Sequence, residues 1–280
     1  MIKRILAGVC RSPAQSAIVP MVTDLAANHS ASVTGLALLD QEKIAPSRPP
    51  STGVFSSKLK EREEVLSQAQ QDNVRPLASL REAIEASGQA YDEQQVDGEF
   101  DESLRRIWSF QDLLVLSNTP WFAGEKTPRA PITLLQALAD GIRPIISVPP
   151  YAGTDRQKAL VALSGSLDSA KAMKHFVQLR PWPDIALHLV TVGEPKNAHS
   201  ATELLNDAQG YATAHGFTVS TAALADTKDK TSALFQEAAS VGADTLVVGS
   251  SYSRFLLREK FGSNVQQILA KFEGAVFLSH

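Results

Sequence analysis

Short apolar runs with no polar alternation recur along the chain, at 159–163, 185–192 and 245–248 in its second half. Such runs suit strands buried on both faces. Between them the apolar positions fall three and four apart. Ala170, Met173 and Val177 share one helical face, as do Val265, Ile268, Leu269 and Phe272. Strand-helix-strand alternation predicts an α/β fold with a parallel sheet covered by helices and right-handed crossovers. The first half carries extra material. Residues 44–53, rich in proline and serine, read as a mobile loop. Residues 56–88 read as a helix interrupted near Pro76, with Leu77, Leu80 and Ile84 on one side. The acidic run from Asp92 to Glu102 reads as a solvated loop and helix start rather than a metal site.

The pattern repeats once. Arg4-Ile-Leu-Ala-Gly-Val-Cys-Arg-Ser12 parallels Lys158-Ala-Leu-Val-Ala-Leu-Ser-Gly-Ser166, and Asp112-Leu-Leu-Val-Leu-Ser117 parallels Asp244-Thr-Leu-Val-Val-Gly249. Pro144-Ile-Ile-Ser-Val148 closes the first half as Ala275-Val-Phe-Leu-Ser279 closes the second. The paired prolines Pro149 and Pro150 cannot continue a helix or a central strand, so a linker falls there. Two domains are expected, at 1–150 and 155–280. A period this long implies duplicated domains rather than a solenoid.

Composition narrows the classes. The net charge of −3 gives no electrostatic reason to expect nucleic acid or an anionic membrane as partner. The one cysteine, Cys10, excludes an internal disulfide and a cysteine-built metal site. At the end of an apolar strand it reads as a buried, inert thiol. The apolar stretch before Arg11 is too short for a secretory signal, and no uncharged apolar run is long enough to span a bilayer. A cytoplasmic setting is expected. The six histidines are scattered, without the spacing of a helical metal site, and no Gly-x-Ser-x-Gly elbow is present.

In a parallel α/β sheet, ligands sit at the carboxyl ends of strands where the strand order reverses. The segment Val247–Leu269 is the richest such place, read as a strand, a long basic loop and a helix. Gly249 ends the strand, where a missing side chain would let a phosphate approach the backbone. Gly262 and Ser263 sit at the helix start, whose free N–H groups favour an anion. Arg254, Arg258 and Lys260 oppose only Glu259. A second reading needs no ligand: Ser263-Asn-Val-Gln266 is a capping box, and Gly249 permits a turn.

With these residues the chain resembles the universal stress proteins in their tandem two-domain form. Nucleotide-binding members carry Gly, two residues, Gly, nine residues, Gly, then Ser or Thr. Gly249 and Gly262-Ser263 match that spacing, Tyr252 stands at the second glycine, and Ser164 replaces the usual Asp after the first strand. The first half departs further, with Cys10, Ser117, Pro120 and Ala130-Pro131 at the corresponding places. It is expected to bind no ATP, to serve structure, or to hold an apolar ligand near Trp121 and Phe122.

The resemblance implies two tandem Rossmann-like domains, each a mainly parallel five-stranded sheet, packed as a pseudo-dimer through their final strands. It implies a stress-response sensor or regulator binding ATP, with Mg²⁺ as companion ion, in the second half. Ala162, Leu163, Ser164 and Val192 would flank the adenosine, while Gly249, Ser250, Gly262, Ser263 and Asn264 hold the phosphates. Turnover is at most slow ATP hydrolysis, since no residue stands out as a base. A homodimer or a regulatory protein partner is left open, as is an interaction protein that binds no nucleotide. Ser164-Gly-Ser-Leu-Asp-Ser169 also resembles the pyrophosphate loop of ATP-pyrophosphatase-type adenylating enzymes, against the simpler reading of Ser166 as helix N-cap with Asp168 in the first turn.

Overall fold

The computed structural model describes residues 1–9, 15–39, 55–97, 100–118, 142, 144–150, 153, 155–195, 200–250, 252–255, 258–261 and 263–279. The first half contributes strands β1 (Arg4–Gly8), β2 (Ser32–Leu39), β3 (Tyr91–Asp97), β4 (Leu113–Ser117) and β5 (Ile145–Val148). The second contributes β6 (Lys158–Ala162), β7 (Ala186–Val192), β8 (Val219–Leu224), β9 (Thr245–Gly249) and β12 (Ala275–Ser279). All ten form one sheet in the order β3-β2-β1-β4-β5-β12-β9-β6-β7-β8. Every neighbouring pair is parallel except β5 with β12, which meet antiparallel with Phe277 opposite Ile146. The two five-stranded halves have mirrored orders and join through their final strands, the pseudo-dimer that the resemblance implies.

Helices α1 (Gln15–His29), α2 (Phe55–Ala86), α3 (Phe100–Trp108), α4 (Leu167–Leu179), α5 (Ala201–Ala214), α6 (Lys230–Val241) and α7 (Ser263–Lys271) accompany the strands. Successive strand residues point to opposite faces, so the sheet has two cores. Ile5, Leu25, Phe176 and Phe277 belong to one, Leu6, Leu116, Leu160 and Val248 to the other, and each core runs through both halves. None of the described helices is long and apolar enough to cross a membrane.

The repeated aspartates have a common physical cause. The Asp112 carboxylate accepts the amides of Lys3 and Arg4 at 2.7 and 3.0 Å, and Asp244 accepts those of Gln157 and Lys158 at 2.7 and 3.3 Å. Each fixes the entry of the half's first strand beside its fourth. Asp244 is also a hub for the chain between the halves: its carbonyl accepts from Arg156 Nη1 at 2.7 Å, while Arg156 Nη2 donates to Gly153 at 2.6 Å. Burial pushes the Arg156 guanidinium below its usual range, opposed by the charges of Asp244 and Asp155. Asp244→Ala is expected to lower stability by about 1–2 kcal/mol, the scale of charge-assisted hydrogen bonds left unmade. Urea denaturation measures it, and an unchanged midpoint would remove the clamp from the account.

Three elements differ from expectation. Helix α2 runs unbroken through Pro76, which is buried, and the Pro76 carbonyl accepts from Gln15 Nε2 at 3.1 Å. Tertiary burial overrides the cost of proline in that turn. The acidic run starts not as a loop but as β3, an outer strand whose charges can face water. The basic loop contains a hairpin, β10 (Tyr252–Phe255) with β11 (Arg258–Phe261), and Tyr252 pairs with Phe261 at its base. The 44–53 segment, Cys10, and the Pro120–Pro131 region with Trp121 and Phe122 lie outside the described residues.

Candidate functional site

At the carboxyl ends of β6 and β9, where the strand order of the second half turns back, a cavity of about 510 Å³ opens. Strands β6 and β7 form its floor, helices α6 and α7 its roof, and the turn into α4 one wall. It is lined by Ala162, Leu163, Ser164, Val192, Gly249 and Asn264, six of the nine residues that the sequence singles out. Ser250 is buried beside them, and its amide donates to the Ser279 carbonyl at 2.9 Å. Ser263 opens α7. Gly262 and the Ser263 side chain lie outside the described residues.

Apolar side chains missed by the sequence reading complete the slot: Val190, Leu234, Val248, Val265 and Ile268. Their signal was present, since Val190 and Val192 alternate on one face of β7 and Val265 and Ile268 share a face of α7. Lys230 had no such signal. Its Nζ donates to the Val192 carbonyl at 3.0 Å and lies 3.4 Å from Asp226 Oδ1, placing a cation at the rim. Glu194 and Asp168 also line the opening. Beside Lys230, the Asp229 carboxylate caps α6; hydrogen bonds from the Ser232 hydroxyl and amide hold it below the usual carboxylate range.

The turn between β6 and α4 is closed by its own hydroxyls. Ser166 caps α4, its Oγ accepting from the Ser169 amide at 3.3 Å. Ser169 Oγ accepts from the Ser164 amide at 3.2 Å and donates to the Ser166 carbonyl at 2.9 Å. Ser164 and Ser166 hydroxyls lie 2.9 Å apart. Gly165, at φ 74°, makes the left-handed step that brings them together. The Ser164 and Ser250 amides are thus engaged within the protein.

Gly249 is glycine for a reason the sequence did not disclose. A Cβ there would lie 2.5 Å from the Asp168 carbonyl carbon and 2.6 Å from the Ser169 nitrogen. The first turn of α4 therefore occupies the place of a side chain at this position, while Gly249 still lines the cavity. Among the described residues, no group of three or more His, Cys, Asp or Glu could hold a metal ion.

Comparison with known proteins covers both halves differently. Residues 155–280 match the family model described as the Universal stress protein family. No curated protein matches the chain. A universal stress protein from Archaeoglobus fulgidus superposes over 98% of this chain and 97% of its own, with TM-score 0.68 at 15% identity. A putative universal stress protein and a functionally unknown protein, both from Pseudomonas aeruginosa, each cover 99% of this chain and 92% of their own at TM-score 0.60, with 15% and 12% identity. At these identities the likeness carries the fold alone.

Proposed function

Residues 155–280 belong to the universal stress protein family, and from that premise we propose that the chain is a stress-response sensor or regulator that binds an adenine nucleotide in its second half. The observation that carries the reading is the cavity itself. It lies at the switch point of the strand order, has the size of a small-ligand site, and pairs an apolar slot with a helix start. The base and ribose would enter between Ala162, Val192 and Leu234. The phosphates would meet the first amides of α7, at Ser263 and Asn264, where the helix dipole favours negative charge. Mg²⁺ would enter with the phosphates. The domains are assigned as 1–150, without nucleotide, and 155–280, with it.

Calorimetric titration of the full chain with ATP tests this. One nucleotide per chain is expected, and Ala162→Phe, which fills the slot, should weaken binding at least about tenfold while leaving the melting temperature near that of wild type; that factor equals about 1.4 kcal/mol. An absence of binding heat at millimolar ATP, with no nucleotide released on denaturation, rejects the proposal and leaves an interaction protein. Pyrophosphate release that Asp168→Ala abolishes would point instead to adenylation.

A further inference from the structure

His188 lies on β7, buried, and both of its ring nitrogens are engaged by side chains. Nδ1 is 2.8 Å from Ser220 Oγ, and Nε2 is 2.8 Å from Glu237 Oε1. The fold assembles the three groups from separate elements. Parallel pairing sets His188 beside Ser220 of β8, and α6 brings Glu237 onto the ring. None of the three lines the cavity at the carboxyl ends of β6 and β9.

The carboxylate decides the tautomer. An ionised Glu237 only accepts, so in the neutral ring the proton sits on Nε2. Nδ1 then keeps its lone pair, and the Ser220 hydroxyl donates to it. A hydroxyl, an imidazole and a carboxylate in this order, at these distances, are the parts of an activated nucleophile. Ser220 is exposed, whereas the histidine side chain is 7% and the glutamate side chain 20% accessible. Two other histidines lack this order. His29 accepts from the Ile2 amide and meets the Pro181 carbonyl, and His175 lies beside the hydroxyl of Ser279, which no solvent reaches.

A backbone donor stands next to Ser220 in the chain. The Leu187 amide donates to the Thr218 carbonyl at 2.8 Å and the Gly193 amide to the Leu224 carbonyl at 3.0 Å, at the two ends of the ladder. Alternate residues of β8 therefore turn their peptides to β7, and Thr221 turns its amide outward.

We propose that Ser220, His188 and Glu237 form an acyl-transfer site for short-chain esters with good leaving groups. Ser220 Oγ bonds to the ester carbonyl carbon as its proton passes to His188 Nδ1. The tetrahedral adduct collapses, the bond from carbon to the leaving oxygen breaks, and that oxygen takes the proton from Nδ1. Water then attacks the acyl-serine by the same relay, which releases the carboxylic acid and restores the hydroxyl. Glu237 is a positioning residue that holds the ring and balances its transient charge. The Thr221 amide is the donor offered to the developing oxyanion. Short esters fit because Ser220 stands on an exposed strand, which has no slot for a long acyl chain.

A fluorophosphonate probe tests this, since Ser220 Oγ would displace fluoride while His188 takes the proton. Intact-mass and peptide analysis should find one adduct per native chain, on Ser220, and none on Ser220→Ala or on the guanidinium-unfolded chain. Ser220→Ala should bind ATP as wild type does. His188→Gln should label at least about a hundredfold more slowly, the scale of a lost general base, and hydrolysis of p-nitrophenyl acetate should fall with it. Glu237→Gln can donate to the ring as well as accept. It should slow labelling at least about tenfold through the wrong tautomer, visible in the imidazole nitrogen NMR shifts, with the melting temperature near that of wild type. A native chain that takes no adduct overturns the proposal. So does an unfolded chain that labels equally, or wild-type labelling rates in both His188→Gln and Glu237→Gln.

Discussion

Replacing Phe277 with alanine is expected to remove about 3–5 kcal/mol of stability, the cost of deleting a fully buried aromatic ring and leaving its cavity. Phe277 sits on β12 with no solvent exposure, at the strand where the halves join. Its ring meets Phe176 of α4 edge-on, centroids 5.1 Å apart and planes at 86°, and Phe176 in turn lies 6.4 Å from Trp182. One truncation therefore loosens the contact between α4 and the sheet and, through Ile146 opposite, the seam itself. Guanidinium denaturation with both far-ultraviolet and tryptophan signals measures the loss. The signals should shift together. A loss below about 1 kcal/mol would mean the site collapses around the missing ring, contrary to the close packing of such interiors.

Gly249→Val should cost about 3 kcal/mol, at the upper end for forcing extra atoms into a packed site. The obstruction is backbone: the Asp168 carbonyl and the Ser169 amide stand where the new Cβ must go, so no rotamer relieves it. Helix α4 would have to move, and with it the Ser166 cap and the cavity wall. The variant should melt well below wild type whether or not nucleotide is present. If Gly249→Ala instead keeps wild-type stability and loses only ATP, the glycine serves the ligand and not the helix.

Much of the fold was legible. The duplicated Asp112 and Asp244 segments proved to hold equivalent places because each carboxylate takes two amides at the entry of a first strand, a role that needs an acceptor and tolerates little else. The seam between 145–148 and 275–279 followed from the resemblance, and covering two edges at once explains it. Less legible were features in which tertiary contact outvotes local preference. Pro76 announces a break that burial overrides. The acidity of Asp92, Glu93 and Asp97 suggests a loop, yet an outer strand keeps one side in water and can carry charge. Around the candidate site, apolar residues on regular faces could have been found by period, whereas Lys230 reaches Val192 across the interval from residue 192 to 230, which no local pattern encodes. Gly249 lines the cavity, and the close approach of the α4 backbone that also requires a glycine there has no signature in the local sequence.

The position of β12 between β5 and β9 also has a consequence for biosynthesis. Strands β1 to β5 can assemble as soon as they leave the ribosome, since domains generally fold in the order they are made. The outer side of β5 then waits through the synthesis of residues 149–274 for the strand that covers it, and β9 waits beside it for the same strand. Ile145, Ile146 and Val148 are fully buried in the finished protein, and the backbone edge of β5 that carries them has no outer ladder partner until β12 is made. The centre of the sheet is the last part to be closed, so a translational pause ahead of residue 275 would leave an apolar strand edge available to any neighbouring chain.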